Sequence, residues 1–185
     1  LIRVLALDTS THTGWAHDND AGNGPNWGTF NLPGWRPADV DKSGAALIEF
    51  VKVTVARKHI THVVIERPFT VYGHAADRKN PDLAAALMAF ASVCGAAAVY
   101  AGIDAKNVRV VSPSSVRKHF IDNGRHPEAK MAVMRRCRAL GWKIDNDNEA
   151  DALACWDYAK SILDPGWAAR STPLWGQQHD KQAGD

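Results

Sequence analysis

Apolar and polar positions along the chain alternate between a strand-like and a helix-like spacing. Residues 2–8, IRVLALD, form a short apolar run that ends in Asp8 and the turn-prone TSTHTG, the pattern of a buried strand. TGWAHD (13–18) and NWGTFNL (26–32), separated by the Gly/Asn-rich NDAGNGP, read as the next two antiparallel strands of a meander. From Asp39 to Lys58 the apolar residues Val40, Ala45, Leu47, Ile48, Val51 and Val55 recur at helical spacing. HVVIE (62–66) is again a short buried strand, and again it ends in an acid. Residues 67–80, RPFTVYGHAADRKN, form a long loop, a kind more often functional than idle. Beyond it the pattern predicts an Ala-rich helix over 82–101, a strand NVRVV (107–111), a Ser/Pro break and a short helix near 114–121. A basic helix over 127–140 and a last helix opening in NDNEADALACW (146–156) complete the series. Strands followed by helices in this order describe an α/β domain in which helices flank a mixed sheet.

A chain of 185 residues with 45% hydrophobic content supports one domain, expected over 1–163. The tail 164–185 has two Trp but no periodicity and is expected to be extended or disordered. LIRV opens the sequence without an initiator Met, a charged leader or a cleavage pattern, which leaves room for a native start further upstream. The longest apolar stretch, Leu83 to Ile103, contains Ser92, Gly95 and Gly102 and reads as a buried helix rather than a membrane span. Its Ala84, Ala86, Ala91 and Gly95 would permit close helix approach, in a dimer seam or within the fold. Cys94, Cys137 and Cys155 are widely separated, which suggests neither a disulfide framework nor a zinc site and fits a reducing, cytoplasmic setting. The net charge of +2 hides an asymmetry: between Arg117 and Lys143 eight Lys and Arg face only Asp122 and Glu128. One basic face of this kind suits a polyanionic partner, although a solvated helix surface explains it as well.

The acids need a reason. Asp8 and Glu66 end two strands, and ligands of α/β sheets bind beyond the carboxyl ends of parallel strands. In the last helix Asp147 and Asp151 are four residues apart and share a face, whereas Glu149 points about 200° away from Asp151. Carboxylates crowded together repel unless a cation holds them, and hard oxygen ligands select Mg²⁺ or Mn²⁺. Duller explanations exist: acids in a first helical turn complement the helix dipole, and Asn146 with Glu149 resembles a capping box. Glu149 is assigned to the cap, while Asp151 lies too deep in the helix for that role. Asp8 alone is explicable as a turn former, and Glu66 as a salt-bridged strand end.

Taken together, LALDTSTHTGWA, VVIERPF, RKNPDLAAALMAFASVCG, SPSSVRKHF with HPEAKMAV, and EADALA resemble the RuvC family of Holliday-junction resolvases, within the ribonuclease H-like superfold. The resemblance runs in order over residues 3 to 162. It implies a five-stranded mixed sheet whose first three strands are antiparallel, a homodimer, and Mg²⁺-dependent nicking of a four-way DNA junction, with Mn²⁺ able to substitute. It also implies that Asp8, Glu66 and Asp151 are catalytic metal ligands. The family commonly has an acid or His three residues before the last Asp; here that place holds Asn148. The fourth ligand is therefore Asp147, ranked first for its charge, or Asn148 through its carbonyl oxygen. Phe69 falls where the family stacks an aromatic on junction bases, with Tyr72, Arg67, Arg78 and Lys79 around it. Arg117 and Lys130 fall where the family has basic residues near the scissile phosphate, Lys130 with a catalytic part. Lys118, Arg135 and Arg138 are expected to contact DNA backbone. His12, His17, His62 and His74 read as surface or turn histidines, and Trp15 and Trp27 as core or sheet-face residues.

The function expected is thus a structure-selective endodeoxyribonuclease for four-way and other branched DNA. Two other readings stand beside it. LALDTST also looks like the opening of the actin-like ATPase superfamily scaffolds of tRNA threonylcarbamoylation, which predicts Gly-rich phosphate loops later in the chain. A branched-DNA-binding protein that no longer cleaves, given Asn148, is the third.

Overall fold

In a computed structural model of the chain, residues 1–20, 24–33, 39–68, 81–164 and 166–167 are described. Five strands form one sheet: β1 (Val4–Asp8), β2 (His12–Asp18), β3 (Pro25–Asn31), β4 (His62–Glu66) and β5 (Val108–Val111). The order across the sheet is β3-β2-β1-β4-β5, with β1–β2 and β2–β3 antiparallel and β1–β4 and β4–β5 parallel. This is the mixed ribonuclease H-like sheet expected. Five helices cover it: α1 (Val40–Lys58), α2 (Pro81–Tyr100), α3 (Pro113–Ile121), α4 (Ala129–Ala139) and α5 (Asp147–Leu163). A 3₁₀ turn, Ala105–Asn107, leads into β5.

The period of two in the strands sorts their side chains onto two cores. Leu5 and Leu7 of β1, with Val63 and Ile65 of β4, pack under α1 and α2 beside Leu47, Val51, Phe90 and Cys94. Val4, Ala6 and Val64 face the other way, into a core with Val116, Phe120, Val133 and the α5 residues Ala150, Leu153 and Trp156. By the same alternation Asp8 and Glu66 lie on the α5 face of the sheet. The residues β1 and β2 give to that core are small, Ala6 and Ala16, and Gly14 next to them has no side chain, so α5 lies close on the middle of the sheet.

Two expectations need correction. Leu83–Tyr100 has the length and apolar composition of a membrane-crossing helix, with mean hydropathy 2.0, yet only 33% of the window is buried. One face of α2 (Ala86, Phe90, Ala91, Cys94, Ala97, Ala98) packs on the domain, while Met88 and Val99 stand in solvent. The helix is buried on one side, not all round. Ala86 and Ala91 serve internal packing, and Gly95 lies against Val108 and Ile65, so these three belong to the fold rather than to an outer seam. His17 is not a surface histidine: it is 5% exposed, stacks on Trp15 and bonds through Nδ1 to the Asp18 carbonyl. Trp167 meets Trp156 edge-on, and its Nε1 donates to Asp157 Oδ1 at 3.0 Å. The remainder of the tail, 168–185, lies outside the described residues.

Candidate metal centre

Asp8 and Glu66 end adjacent parallel strands and are register partners, so hydrogen bonding of the sheet itself fixes their backbones side by side. On the other flank of β1, Asp8 is opposite Gly14 of β2. A Cβ at Gly14 would lie 2.0 Å from the Asn148 carbonyl oxygen and 3.2 Å from Ala152 Cβ. The first turns of α5 therefore rest directly on the strand beside Asp8, and Asp151 follows one turn after Asn148 on the same face.

The start of α5 is anchored. Asn146 caps the helix, its Oδ1 accepting from Glu149 N–H at 2.9 Å, and its Nδ2 donates to Thr29 Oγ1 of β3 at 2.9 Å. Glu149 Oε2 accepts from Asp145 N–H at 2.9 Å, one residue before the cap. Glu149 thus serves the helix start, although the N–H it accepts from is that of Asp145 and not that of the cap residue Asn146. Ser10 Oγ donates to Asn148 Oδ1 at 3.3 Å, tying the loop after β1 to α5.

Three carboxyl groups feel one another. Burial raises Asp8 from 3.8 to about 7, and the charge of Asp151 pushes further the same way. Burial lifts Glu66 well above the carboxylate range, helped by Asp8 and then Asp151. Asp151 is raised by burial, with Arg117 and Lys130 opposing. Glu66 is 5% exposed and its Oε2 has no hydrogen-bond partner. None of the salt bridges among the described residues engages Asp8, Glu66 or Asp151. Three carboxylates with an orphaned buried oxygen and no fixed counter-charge fit a hard divalent cation in donor chemistry. They are not pre-gathered: no group of three His, Cys, Asp or Glu among the described residues stands ready to hold a metal.

Asp147, ranked first as a fourth ligand, is held in an ion pair with Lys130 at the start of α4. The hydrogen bond from Lys130 keeps Asp147 below the usual carboxylate range and raises Lys130 in turn. Lys130 also acts on Asp8 and Asp151 through its charge. Arg117 acts on all three buried carboxylates, and its Nε is buried without a partner. Ser112 positions its helix, α3, by accepting from Ser115 N–H at 3.1 Å, with Pro113 in the first turn. Lys118 is exposed and donates to the Asp122 carbonyl at 3.3 Å. Arg135 and Arg138 are exposed further along α4, and Arg67 is exposed beyond Glu66. Phe69, Tyr72, His74, Arg78 and Lys79 lie outside the described residues.

The residues that sequence reasoning missed are Gly14, Ser10 and Thr29. Gly14 did carry a signal, since a glycine inside a strand pattern marks close backbone approach.

No family model matches the chain, and no curated protein does. Among solved structures, Thermus thermophilus RuvC superposes with a TM-score of 0.64 at 20% identity, covering 91% of this chain and 96% of that one. T. thermophilus RuvC in complex with Holliday junction substrate gives a TM-score of 0.64 at 20% identity, covering 84% and 90%. The yeast mitochondrial Holliday junction resolvase Ydc2 aligns with a TM-score of 0.44 at 14% identity over 91% and 84% of the two chains. At these identities the likeness to RuvC speaks for architecture, and in architecture the chain has the RuvC form of the ribonuclease H-like fold.

Proposed function

We propose that the chain is a metal-dependent endonuclease that nicks four-way DNA junctions. The observation that carries this reading is the placement of Asp8 and Glu66 as register partners on adjacent strands under the start of α5, with the charge of Asp151 acting on both and Arg117 and Lys130 opposing it. A Holliday junction is the substrate bound by a protein of the same fold, T. thermophilus RuvC.

Asp8, Glu66 and Asp151 would hold the cation, Mg²⁺ or Mn²⁺ by donor hardness, with Asp147 or Asn148 supplying a further oxygen. A cation held there would supply activation of a water and charge neutralisation at the scissile phosphate. Arg117 and Lys130 stabilise the charge that accumulates on the phosphate oxygens at the transition state. Lys118, Arg135 and Arg138 give the basic helices α3 and α4 a backbone grip that is independent of base sequence. Arg67 begins the 67–80 loop, and Phe69, Tyr72, Arg78 and Lys79 on it are assigned to junction contacts, with Phe69 stacking on bases, worth about 1–3 kcal/mol.

Cutting both strands of a junction calls for two active sites, and a second copy of the chain supplies the other. The exposed stripe of small residues Ala85, Ala89, Ser92 and Ala96 along α2, flanked by the apolar Met88 and Val99, is suited to helix-on-helix docking. Sedimentation of Ala89→Arg tests this: a shift from dimer to monomer supports the seam, and an unchanged dimer refutes it.

The deciding experiment incubates the protein with a synthetic four-way junction and Mg²⁺, beside Asp8→Asn. Paired nicks ending in 5′-phosphate, abolished by the substitution, are expected. Junction binding without nicks would instead identify a non-cleaving binder. The ATPase reading requires Gly-rich phosphate loops that the sequence lacks; stabilisation by ATP with no junction affinity would revive it.

A further inference from the structure

The Lys130–Asp147 pair lies close enough to Asp8 and Asp151 for both of its charges to act on them, and it ties up one group of each kind that the reaction needs. Lys130 side chain is 64% exposed and that of Asp147 35%, so both can change partners without unpacking the core. Asn148, next to Asp147, is neutral and occupied by Ser10 Oγ, which leaves Asp147 as the nearest additional negative charge on α5. Lys130 imposes positive charge on Asp8 and Asp151, and Asp147 imposes negative charge on both.

Resting on the nuclease reading, we infer that Lys130 and Asp147 form an exchangeable ion pair that makes cation binding and DNA binding mutually dependent. A phosphodiester arriving at the site takes Lys130 as its counter-charge. Asp147 is then released, carries a full negative charge and turns toward the cation. The same exchange read backwards makes a bound cation favour DNA, because linkage is reciprocal. Without DNA the pair holds the centre in a low-affinity state, which limits unproductive ion capture.

A double-mutant cycle on Mn²⁺ affinity, followed by the electron paramagnetic resonance signal of free Mn²⁺, tests this without reference to turnover. The proteins are wild type, Lys130→Met, Asp147→Asn and the double variant, each full-length, with and without excess four-way junction at low temperature. For wild type, junction DNA is expected to tighten Mn²⁺ binding by about tenfold, a coupling of roughly 1.4 kcal/mol. Lys130→Met alone is expected to bind Mn²⁺ several-fold more tightly than wild type without DNA, and to gain little when DNA is added. Asp147→Asn should show no DNA-dependent gain, and the double variant should exceed Asp147→Asn by clearly less than Lys130→Met exceeds wild type, the small remainder being the Lys130 charge on Asp8 and Asp151. If Lys130→Met tightens Mn²⁺ equally in the Asp147→Asn background, the effect is general charge removal and the exchange is wrong. A full DNA-dependent gain in Asp147→Asn also overturns it. Absence of Mn²⁺ binding in every protein, with and without junction, would overturn the nuclease reading itself, an outcome distinct from the other two.

Discussion

Gly14 on β2 lies beneath Asn148 on α5 so closely that a methyl group on the glycine would sit 2.0 Å from the Asn148 carbonyl oxygen. Because Gly14 is also the register partner of Asp8, this one contact sets the distance between the strand acid and the helix acid. Gly14→Ala must lift the start of α5 off the sheet, since the opposing atom is backbone and cannot rotate aside. A cost of about 1–3 kcal/mol or more is expected, with a fall in Tm of several degrees and loss of junction cleavage. Thermal unfolding together with a nicking assay checks it; an unshifted Tm would show that α5 is not seated as described.

How much of this was legible in the sequence depends on the range of the interaction. Strand ends at Asp8 and Glu66, the α5 cap at Asn146 and the two-faced strands all follow from local period and capping chemistry, and the structure has them within a few residues of the expected positions. Convergence of the two strand acids follows once parallel pairing is assumed. The pairing of Asp147 with Lys130 could not be read, because it joins the start of α4 to the start of α5 across a turn whose path no local pattern fixes. Nor could the exposed side of α2: an alanine-rich helix has so weak an apolar asymmetry that composition does not reveal which face turns inward.

Stability of the metal-free protein should fall as pH rises. Asp8, Glu66 and Asp151 keep protons in the folded state that an unfolded chain releases at about 4. Their raised values contribute fully below that pH, and the contribution is lost as pH climbs through the Asp8 value of about 7. His17 and His62, both lowered by burial, work in the opposite sense as pH passes the range below 6.5. The three carboxyl groups outnumber them and set the slope. In a chelator-treated sample Tm at pH 8 is expected below that at pH 5, and Asp8→Asn should flatten the difference. Adding Mn²⁺ should raise Tm at pH 8 far more than at pH 5; equal effects at both would mean the ion binds elsewhere.

Asn146 carries two duties, capping α5 and fastening it to Thr29 of β3. Asn146→Ala removes both and leaves the Glu149 N–H exposed to desolvation without a partner. The expected loss is about 1–2 kcal/mol, read from the midpoint of urea denaturation at unchanged slope. Asn146→Asp retains the capping oxygen while losing the donor to Thr29, so it should recover only part of that loss. Equal midpoints for the two variants would mean that the capping oxygen contributes nothing.

Glu66 is where stability and activity pull apart. Its carboxylate is 5% exposed, has an oxygen without a partner and is repelled by Asp8 and Asp151. Glu66→Gln removes the charge while keeping the shape, so at pH 8 the metal-free variant should melt higher than wild type by a few degrees. The same substitution deletes a cation ligand, so Mn²⁺ should no longer stabilise the protein fully and junction nicking should disappear. Binding of the junction itself should persist, because Arg117, Lys118, Arg135 and Arg138 supply the backbone grip without reference to Glu66. A more stable, junction-binding, inactive variant is the combination that only a functional carboxylate produces. A salt-bridged strand end would give the reverse, a lower Tm with activity intact, and that result would remove Glu66 from the metal centre.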